Sequence, residues 1–150
     1  MKTGFNVRVY GIMINEHQQV LVSDEYIRGS YYTKFPGGGL EFGEGTIECV
    51  IREWQEELGQ DVKVVEHIYT TDFFQISAFD NETQIISIYY LVTPTSPFTA
   101  NVGTKPFDFT VPEGAEEVER SRWIDWRDFS ADAVTLPIDK VVADIIKERY

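Results

Sequence analysis

The chain has 150 residues, of which 13 are Lys or Arg and 25 are Asp or Glu, so its formal net charge is −12. Apolar residues make up 43% and aromatic residues 14%, a composition that indicates a globular protein and excludes a disordered acidic chain. The length predicts one domain over residues 1–150. The single Cys excludes an internal disulfide and a cysteine-rich zinc site.

The charge and the hydropathy pattern also limit partners and location. An acidic protein is not expected to bind a nucleic-acid polymer, because such binding depends on basic residues that release counterions. The first residues, MKTGFNVRVYG, lack the apolar core of a signal peptide, and no run of about 18 apolar residues is present. We therefore expect a cytoplasmic protein with no membrane partner.

Strands are expected wherever apolar runs are rich in β-branched and aromatic residues. In chain order these runs are Phe5–Ile14, Gln19–Tyr26, Asp61–Ile76, Thr83–Thr93 and Arg120–Trp126. A further strand is expected just before the three glycines Gly37–Gly39. The long connection over residues 94–112 contains four prolines, and it predicts one short strand at Phe107–Val111.

Two segments have helical periodicity. In Thr46–Leu58 apolar residues recur at spacings of three and four, with Thr46 as the expected N-cap and Gly59 as the expected left-handed C-terminal residue. The apolar stripe of this helix consists of Ile47, Val50, Ile51, Trp54 and Leu58. The second helix is expected over Leu136–Arg149, with Thr135 as its cap. Strands dominate the predicted elements, and each helix has one apolar stripe to bury. The sequence therefore predicts an α/β fold, in which helices pack on a sheet.

Three glutamates of the first predicted helix lie on one face. Glu53 and Glu56 are three residues apart and Glu53 and Glu57 are four apart, so their carboxylates are neighbours that repel one another. Three oxygen donors on one rigid face suit a hard divalent cation such as Mg²⁺. The alternative for these residues alone is a solvated acidic helix face.

The segment before this helix favours the metal site over the solvated face. The glycines Gly37–Gly39 stand between a predicted strand and the helix. Glycines allow a backbone to approach a ligand closely. A glycine-rich turn that presents backbone amides beside a metal is what a diphosphate substrate requires. We therefore expect a turn at these glycines.

The spacing of these residues resembles the Nudix box. Gly38 is followed by five residues, Glu44, seven residues, and then the run Arg52-Glu53-Trp54-Gln55-Glu56-Glu57-Leu58-Gly59. Every charged and glycine position of the family pattern is matched. Trp54 and Gln60 depart from it, because the family usually has aliphatic residues there, and both are packing positions.

The resemblance implies a fold, a reaction and a cofactor. The fold is the Nudix fold, an α/β/α sandwich around a mixed central sheet. The reaction is Mg²⁺- or Mn²⁺-dependent hydrolysis of a nucleoside diphosphate linked to another group, by attack of water on phosphorus. Glu53, Glu56 and Glu57 would hold one or more metal ions. Glu53 would also orient or deprotonate the attacking water, although the general base differs among family members.

The resemblance assigns supporting roles as well. Glu44 and Arg52 resemble the structural ion pair of the family, which ties the loop to the helix, and Gly38 supports the same site. A homodimer is expected by analogy with the family. The substrate stays open, because the subfamily marks for ADP-ribose, dinucleoside polyphosphates and coenzyme A are not found.

Weaker candidates surround the box. Arg8, Arg28 and Lys34 are candidates for phosphate contacts, with surface or structural roles as the alternative. In the acidic run before the last predicted strand, Glu116 and Glu117 are candidates to add a downstream metal ligand, and a solvated loop is the alternative.

Two other functions compete with hydrolysis. A non-catalytic module of the same fold would sense a nucleotide without turnover, but such regulators usually add a basic DNA-binding domain and lose box carboxylates. An isomerase of prenyl diphosphates would need a catalytic Cys and Glu outside the box, whereas the only Cys here, Cys49, lies inside the predicted helix.

Overall fold

The computed structural model describes residues 3–150, which form seven strands and two α-helices. The strands are β1 (Gly4–Ile12), β2 (Gln19–Ile27), β3 (Ser30–Lys34), β4 (Gly37–Gly39), β5 (Val62–Thr70), β6 (Thr83–Pro94) and β7 (Glu117–Asp125). The helices are α1 (Thr46–Leu58) and α2 (Pro137–Arg149), and two short 3₁₀ turns cover Trp126–Asp128 and Ala131–Ala133. The predicted α/β class is confirmed. Neither α-helix of the described residues is long and apolar enough to cross a bilayer.

The chain divides into two compact units. The first contains the described residues up to Ile12 together with Gly37–Phe98, and the second contains Met13–Pro36 and Thr99–Tyr150. Each unit has one sheet and one α-helix. The mixed sheet that the Nudix resemblance implied is present in the first unit, and the second unit has a separate antiparallel sheet. The single domain expected over residues 1–150 stays a prediction.

The first unit is built on a mixed four-stranded sheet in the order β4-β1-β6-β5. Strand β1 runs parallel to β6 and antiparallel to β4, and β5 runs antiparallel to β6. Helix α1 packs against β1, β4 and β5. Its fully buried side chains are Cys49, Val50 and Trp54. The first unit therefore places α1 directly over the glycine strand β4.

The second unit is built on an antiparallel three-stranded sheet in the order β3-β2-β7. One buried ion pair joins two of its strands: Arg122 of β7 donates to Asp24 of β2 through Nε at 2.7 Å and Nη2 at 3.0 Å. The same carboxylate accepts from Thr33 Oγ1 at 2.8 Å and from the backbone N–H of Phe107 at 3.1 Å. These bonds connect the long loop after β6 to the sheet of this unit.

Two strand predictions were wrong: one predicted strand does not form, and another is shorter than expected. The strand expected at Phe107–Val111 does not form, because Phe107 has a left-handed backbone (φ 52°) and its N–H is bonded to Asp24. The strand expected to reach Ile76 ends at Thr70, and Ile76 makes only an isolated bridge.

The helix bounds agree with prediction, but the caps differ. Gly45, not Thr46, is the N-cap of α1, and the Thr46 hydroxyl is 2.6 Å from the hydroxyl of Tyr90. Gly59 has the expected left-handed backbone (φ 61°). Thr135 does not cap α2, because it is bonded to Thr33 of β3 through both its N–H and its hydroxyl.

Candidate active site

The three glycines form a strand and not the turn that the sequence predicted. Gly38 pairs with Val9 in the antiparallel ladder of β4 with β1, and none of the three glycines has a positive φ. A Cβ on Gly38 would lie 2.4 Å from the carboxyl carbon of Glu53. A Cβ on Gly37 would lie 2.1 Å from the carbonyl oxygen of Val9. Glycine is therefore required here for close packing, and it lets the Glu53 carboxylate rest on the strand backbone.

A short loop carries the chain from β4 to α1. Its turn depends on Gly43, which has a left-handed backbone (φ 99°). The Glu44 carboxylate accepts the backbone N–H of Glu41 at 3.0 Å, which closes the loop on itself. At the helix start, the Glu48 carboxylate accepts the N–H of Gly45 at 3.1 Å. The loop thus directs the Glu44 side chain toward α1.

Arg52 is the centre of the site. It donates to Glu44 through Nε to Oε2 (2.9 Å) and through Nη2 to Oε1 (2.7 Å). Nη2 also donates to the carbonyl oxygen of Gly39 at 3.1 Å. Nη1 donates to Glu53 at 3.0 Å and to Glu56 at 3.1 Å. One guanidinium therefore connects strand β4, the loop and two of the three box glutamates, a geometry that its planar fork of five donors permits.

The charges of this cluster change the pKa values within it. Hydrogen bonds from Arg52, followed by the one from the Glu41 backbone, lower the pKa of Glu44 from 4.5 to about 2. The same contact with Glu44 raises the pKa of Arg52 above its already high value. Burial, reinforced by Glu44, raises the pKa of the Cys49 thiol to about 12. The pair of Glu44 and Arg52 is thus ionised at neutral pH, and Cys49 is a neutral thiol.

The three box glutamates differ in exposure. The side chain of Glu53 is 13% exposed, and that of Glu56 is 59% exposed. Glu57 is also exposed. Among residues 3–150, no three acidic, His or Cys side chains already lie close enough together to hold a metal ion. The chemistry of three carboxylates on one helix fits a hard divalent cation, but Glu53 and Glu56 point their oxygens at Arg52 in this arrangement.

The weaker candidates are divided between the two units. Arg8, on β1 of the first unit, pairs in register with Gly39 and donates from Nε to the hydroxyl of Tyr10 at 2.6 Å. The other candidates belong to the second unit. Lys34 is buried, with Nζ 3.4 Å from a Glu25 oxygen.

The remaining candidates of the second unit lie around the β2–β3 turn. Arg28 is exposed in that turn, and its backbone N–H donates to the carbonyl oxygen of Glu116 at 2.8 Å. Glu117 is exposed at the first position of β7. Phosphate contacts by Arg28 and a metal-binding role of Glu116 or Glu117 stay predictions.

Several residues take part in this site although their sequence pattern did not predict it. Glu41 lies 3.6 Å from Nη1 of Arg52, and the Gly39 carbonyl oxygen accepts from the same guanidinium. Cys49 is fully buried, and its sulfur lies 3.6 Å from the Gly39 oxygen. The spacing of the box contains no signal for backbone acceptors. Glu41 could have been suspected from the sequence only because it lies three residues before Glu44, the expected partner of Arg52.

The sequence of the chain matches the model of a known protein family. A family model of the NUDIX domain matches residues 4–145. Because this match covers most of the chain, the chain belongs to the Nudix family. The family predicted from the box is confirmed.

Curated relatives are similar to parts of the chain. An RNA pyrophosphohydrolase from Blochmanniella pennsylvanica is 37% identical over 65 residues, which are 41% of this chain and 40% of that protein. An 8-oxo-dGTP diphosphatase from Proteus vulgaris is 29% identical over 85 residues, 48% of this chain and 76% of that protein. The chain spans less than half the length of most of the RNA pyrophosphohydrolases that it matches. For three of them the matched part is 40%, 37% and 30% of the relative's own length.

Solved structures are similar in fold. The E. coli ORF135 protein superposes with a TM-score of 0.70 at 15% identity, over 98% of this chain and 91% of that one. A MutT structure, from work on Aliivibrio salmonicida and Vibrio cholerae, superposes with a TM-score of 0.65 at 19% identity, over 97% of this chain and 98% of that one. At these identities the comparison establishes the Nudix fold.

Proposed function

We propose that this protein is a divalent-metal-dependent pyrophosphohydrolase that cleaves a nucleoside diphosphate linked to another group. Water attacks one phosphorus, the bridging P–O bond breaks, and two phosphorylated products leave. The observation that carries the proposal is the Arg52 cluster, in which one guanidinium holds Glu44, Glu53 and Glu56 beside the glycine strand. Its support is membership of the Nudix family and relatives named as pyrophosphohydrolase and diphosphatase.

The metal would be held by Glu53, Glu56 and Glu57. Their carboxylate oxygens are ligands that Mg²⁺ and Mn²⁺ accept, and the exposure of Glu56 and Glu57 leaves room for waters and phosphate oxygens. When bound, the ion would supply positive charge to the anionic oxygens of the diphosphate and lower the pKa of a bound water. An acidic chain of net charge −12 needs such a cation before it can hold a diphosphate.

The chain's own groups would position the reaction. Glu53 is the candidate to orient or deprotonate the water, because its carboxylate is little exposed and is held from two sides, by Arg52 at 3.0 Å and by the backbone of Gly38. Glu44 would keep Arg52 in place. Arg8 is the candidate phosphate contact in the first unit, since its guanidinium lies on the strand that pairs with β4. Arg28, Lys34, Glu116 and Glu117 stay weaker proposals for substrate or metal contacts.

The substrate class is tested with a panel. Purified protein with Mg²⁺ or Mn²⁺ should release a phosphorylated product from at least one of nucleotide sugars, dinucleoside polyphosphates, ADP-ribose and nucleoside triphosphates. The names of the curated relatives add two substrates to this panel, 8-oxo-dGTP and a short RNA with a 5′-triphosphate. EDTA should abolish turnover, and restored Mg²⁺ should recover it.

Variants separate the enzyme from a nucleotide sensor. Glu56→Gln and Glu57→Gln should each lower kcat by about 100-fold or more, because a metal ligand is lost without a change in size. Glu113→Gln, in the loop before β7, serves as a control for the loss of one negative charge. Full activity in both box variants would rule out the metal assignment. Nucleotide binding without turnover of any substrate, with either metal, would favour the sensing module.

Location and assembly are also proposals. We propose a cytoplasmic protein that forms a homodimer, and chromatography with light scattering tests the second point. The low affinity for nucleic-acid polymers expected from the charge is tested by a binding assay with a long single-stranded RNA.

A further inference from the structure

Trp54 occupies an unusual position on α1. Its side chain is fully buried, although the family pattern usually has a smaller aliphatic residue there. The indole lies directly on the backbone of β1 at Gly11: a Cβ built on Gly11 would be 2.5 Å from Nε1 and 2.8 Å from Cε2 of the ring. No side chain fits between them. The large residue on the helix and the glycine on the strand are therefore a matched pair.

The buried indole of Trp54 is unfavourable for folding in one respect. Nε1 of Trp54 is buried and has no hydrogen-bond partner among the described residues. A buried donor without a partner is unfavourable for folding, and a leucine at this position would avoid that penalty. What the indole supplies and an aliphatic side chain does not is a rigid, flat surface against the strand.

The contact lies next to the candidate site. Gly11 and Val9 are two residues apart on β1, so they face the same side of the sheet. Val9 pairs with Gly38 of β4, where the Glu53 carboxylate rests. The helix therefore meets one face of this ladder at two neighbouring points, through Trp54 at Gly11 and through Glu53 at Gly38. Consecutive helix residues point about 100° apart, so two such contacts set both the height and the rotation of α1.

We propose that Trp54 is the positioning residue for Glu53: the indole seated on Gly11 fixes α1 over β1 and β4 and so holds the Glu53 carboxylate between Gly38 and Arg52. This inference rests on the proposed function, since it gives Glu53 a role in holding the metal and the water. Trp54 touches no reacting group and acts only through the placement of the helix.

The test compares variants of the pair in the full chain. In Trp54→Leu the space over Gly11 opens, and we expect the dissociation constant for Mn²⁺, measured by electron paramagnetic resonance without substrate, to rise about 5- to 10-fold. The same variant should lose about 10-fold in kcat with KM within about twofold. Trp54→Phe keeps a flat ring and removes the orphan N–H, so it should remain close to wild type in both values. Gly11→Ala combined with Trp54→Leu refills the space and should recover at least half of the lost Mn²⁺ affinity on a logarithmic scale.

A packing control separates a general loss of stability from the loss of the contact at Gly11. Val50 is fully buried on α1 one turn before Trp54, so Val50→Ala destabilises the same helix without opening the contact at Gly11. It should lower Tm and leave Mn²⁺ affinity within about twofold. The proposal is overturned if Trp54→Leu lowers Tm alone, or if Val50→Ala shifts Mn²⁺ affinity as much as Trp54→Leu does.

Failure of the two proposals is distinguishable. If the wild-type chain turns over no substrate of the panel, the proposed function fails, while the Mn²⁺ titration still measures the placement of Glu53. If the wild type is active and Trp54→Leu matches it in kcat and in Mn²⁺ affinity, the positioning role fails and the proposed function stands.

Discussion

Arg52 and Glu44 are joined by two parallel hydrogen bonds, from Nε and Nη2 of the guanidinium to the two carboxylate oxygens, at 2.9 and 2.7 Å. Such a bidentate pair fixes the plane of the guanidinium as well as its position. With the plane fixed, Nη1 is directed at Glu53 and Glu56. Through Arg52, the loop residue Glu44 thereby controls the orientation of the Glu53 and Glu56 carboxylates, which lie nine and twelve positions further along the chain.

Arg52→Lys should lower kcat by about 10- to 100-fold, because a single ammonium cannot hold Glu44 in two places and also orient Glu53. Steady-state kinetics on the best substrate of the panel measures this. The matched control is Arg122→Lys, which breaks the other bidentate pair, with Asp24 in the second unit, and should affect stability more than kcat. Equal losses of kcat in the two variants would contradict the special role of Arg52.

The Glu44 carboxyl should titrate well below its ordinary pKa of 4.5, at about 2. Because the folded-state pKa is lowered, the stabilisation from ionised Glu44 is fully present above pH 4.5 and is lost as the pH falls from 4.5 toward 2. Carbon-13 NMR of the assigned side-chain carboxyl measures the midpoint. Arg52→Gln removes the main cause of the shift and should raise this pKa. A wild-type midpoint near 4.5 would show that the pair does not form in solution.

Gly38→Ala should lower kcat by about 100-fold, because the added methyl group would occupy the space of the Glu53 carboxyl group. We also expect a loss of about 1–3 kcal/mol in the free energy of unfolding from overpacking. Gly4→Ala on β1 is the control, since nothing lies within 4 Å of its Cβ position. Kinetics and urea unfolding of both variants check the prediction, and an active Gly38→Ala enzyme would be inconsistent with the packed position of Glu53.

Cys49 should resist thiol reagents in the folded protein. Burial raises the pKa of its thiol to about 12, and the side chain is fully buried. At pH 8 only about one thiol in ten thousand is then ionised, and the thiolate is the reactive form. Dithionitrobenzoate should react with the single Cys in urea and hardly at all without it. Rapid stoichiometric labelling of the folded chain would refute the buried placement.

Asp24→Asn should lower the free energy of unfolding by about 2–4 kcal/mol, because Arg122 loses its buried counter-charge. Asp125→Asn on the same sheet removes an exposed carboxylate that bonds Gln19, and it should change stability by about 0.5 kcal/mol or less. Urea unfolding of the three proteins gives the comparison. Similar losses of unfolding free energy in both variants would mean that the buried pair of Asp24 and Arg122 stabilises the fold no more than an exposed hydrogen bond does.

The sequence predicted the helices well because their signals are local. The spacing of apolar residues and Gly59 place the ends of α1 at Thr46 and Leu58. The same pattern did not predict which residues are buried: Ile47 is 48% and Ile51 37% exposed, and Cys49 is buried instead. The exposed edge of an apolar stripe depends on how much of the helix the sheet covers, and that is a tertiary property.

Strand β4 was beyond sequence analysis for a related reason. Three glycines have no side chains and therefore no periodicity, so only pairing with β1 makes them a strand. For the site, the spacing of the box was enough to predict the Glu44 and Arg52 pair. It could not predict the Gly39 carbonyl acceptor, which depends on the strand, or the contact of Trp54 with Gly11, which depends on the height of α1 over the sheet.

The order in which the strands pair has a consequence for how the chain folds. Gly4 of β1 lies opposite Thr83 of β6, and Gln19 of β2 lies opposite Asp125 of β7. Neither sheet can close by neighbouring hairpins alone, since each needs a partner many tens of residues away. Chains dominated by such distant pairings fold in milliseconds to seconds, far slower than helical bundles. During synthesis β1 must wait for β6 to emerge, so the four-stranded sheet beneath the Glu53 carboxylate is completed only after the whole Nudix box has been made.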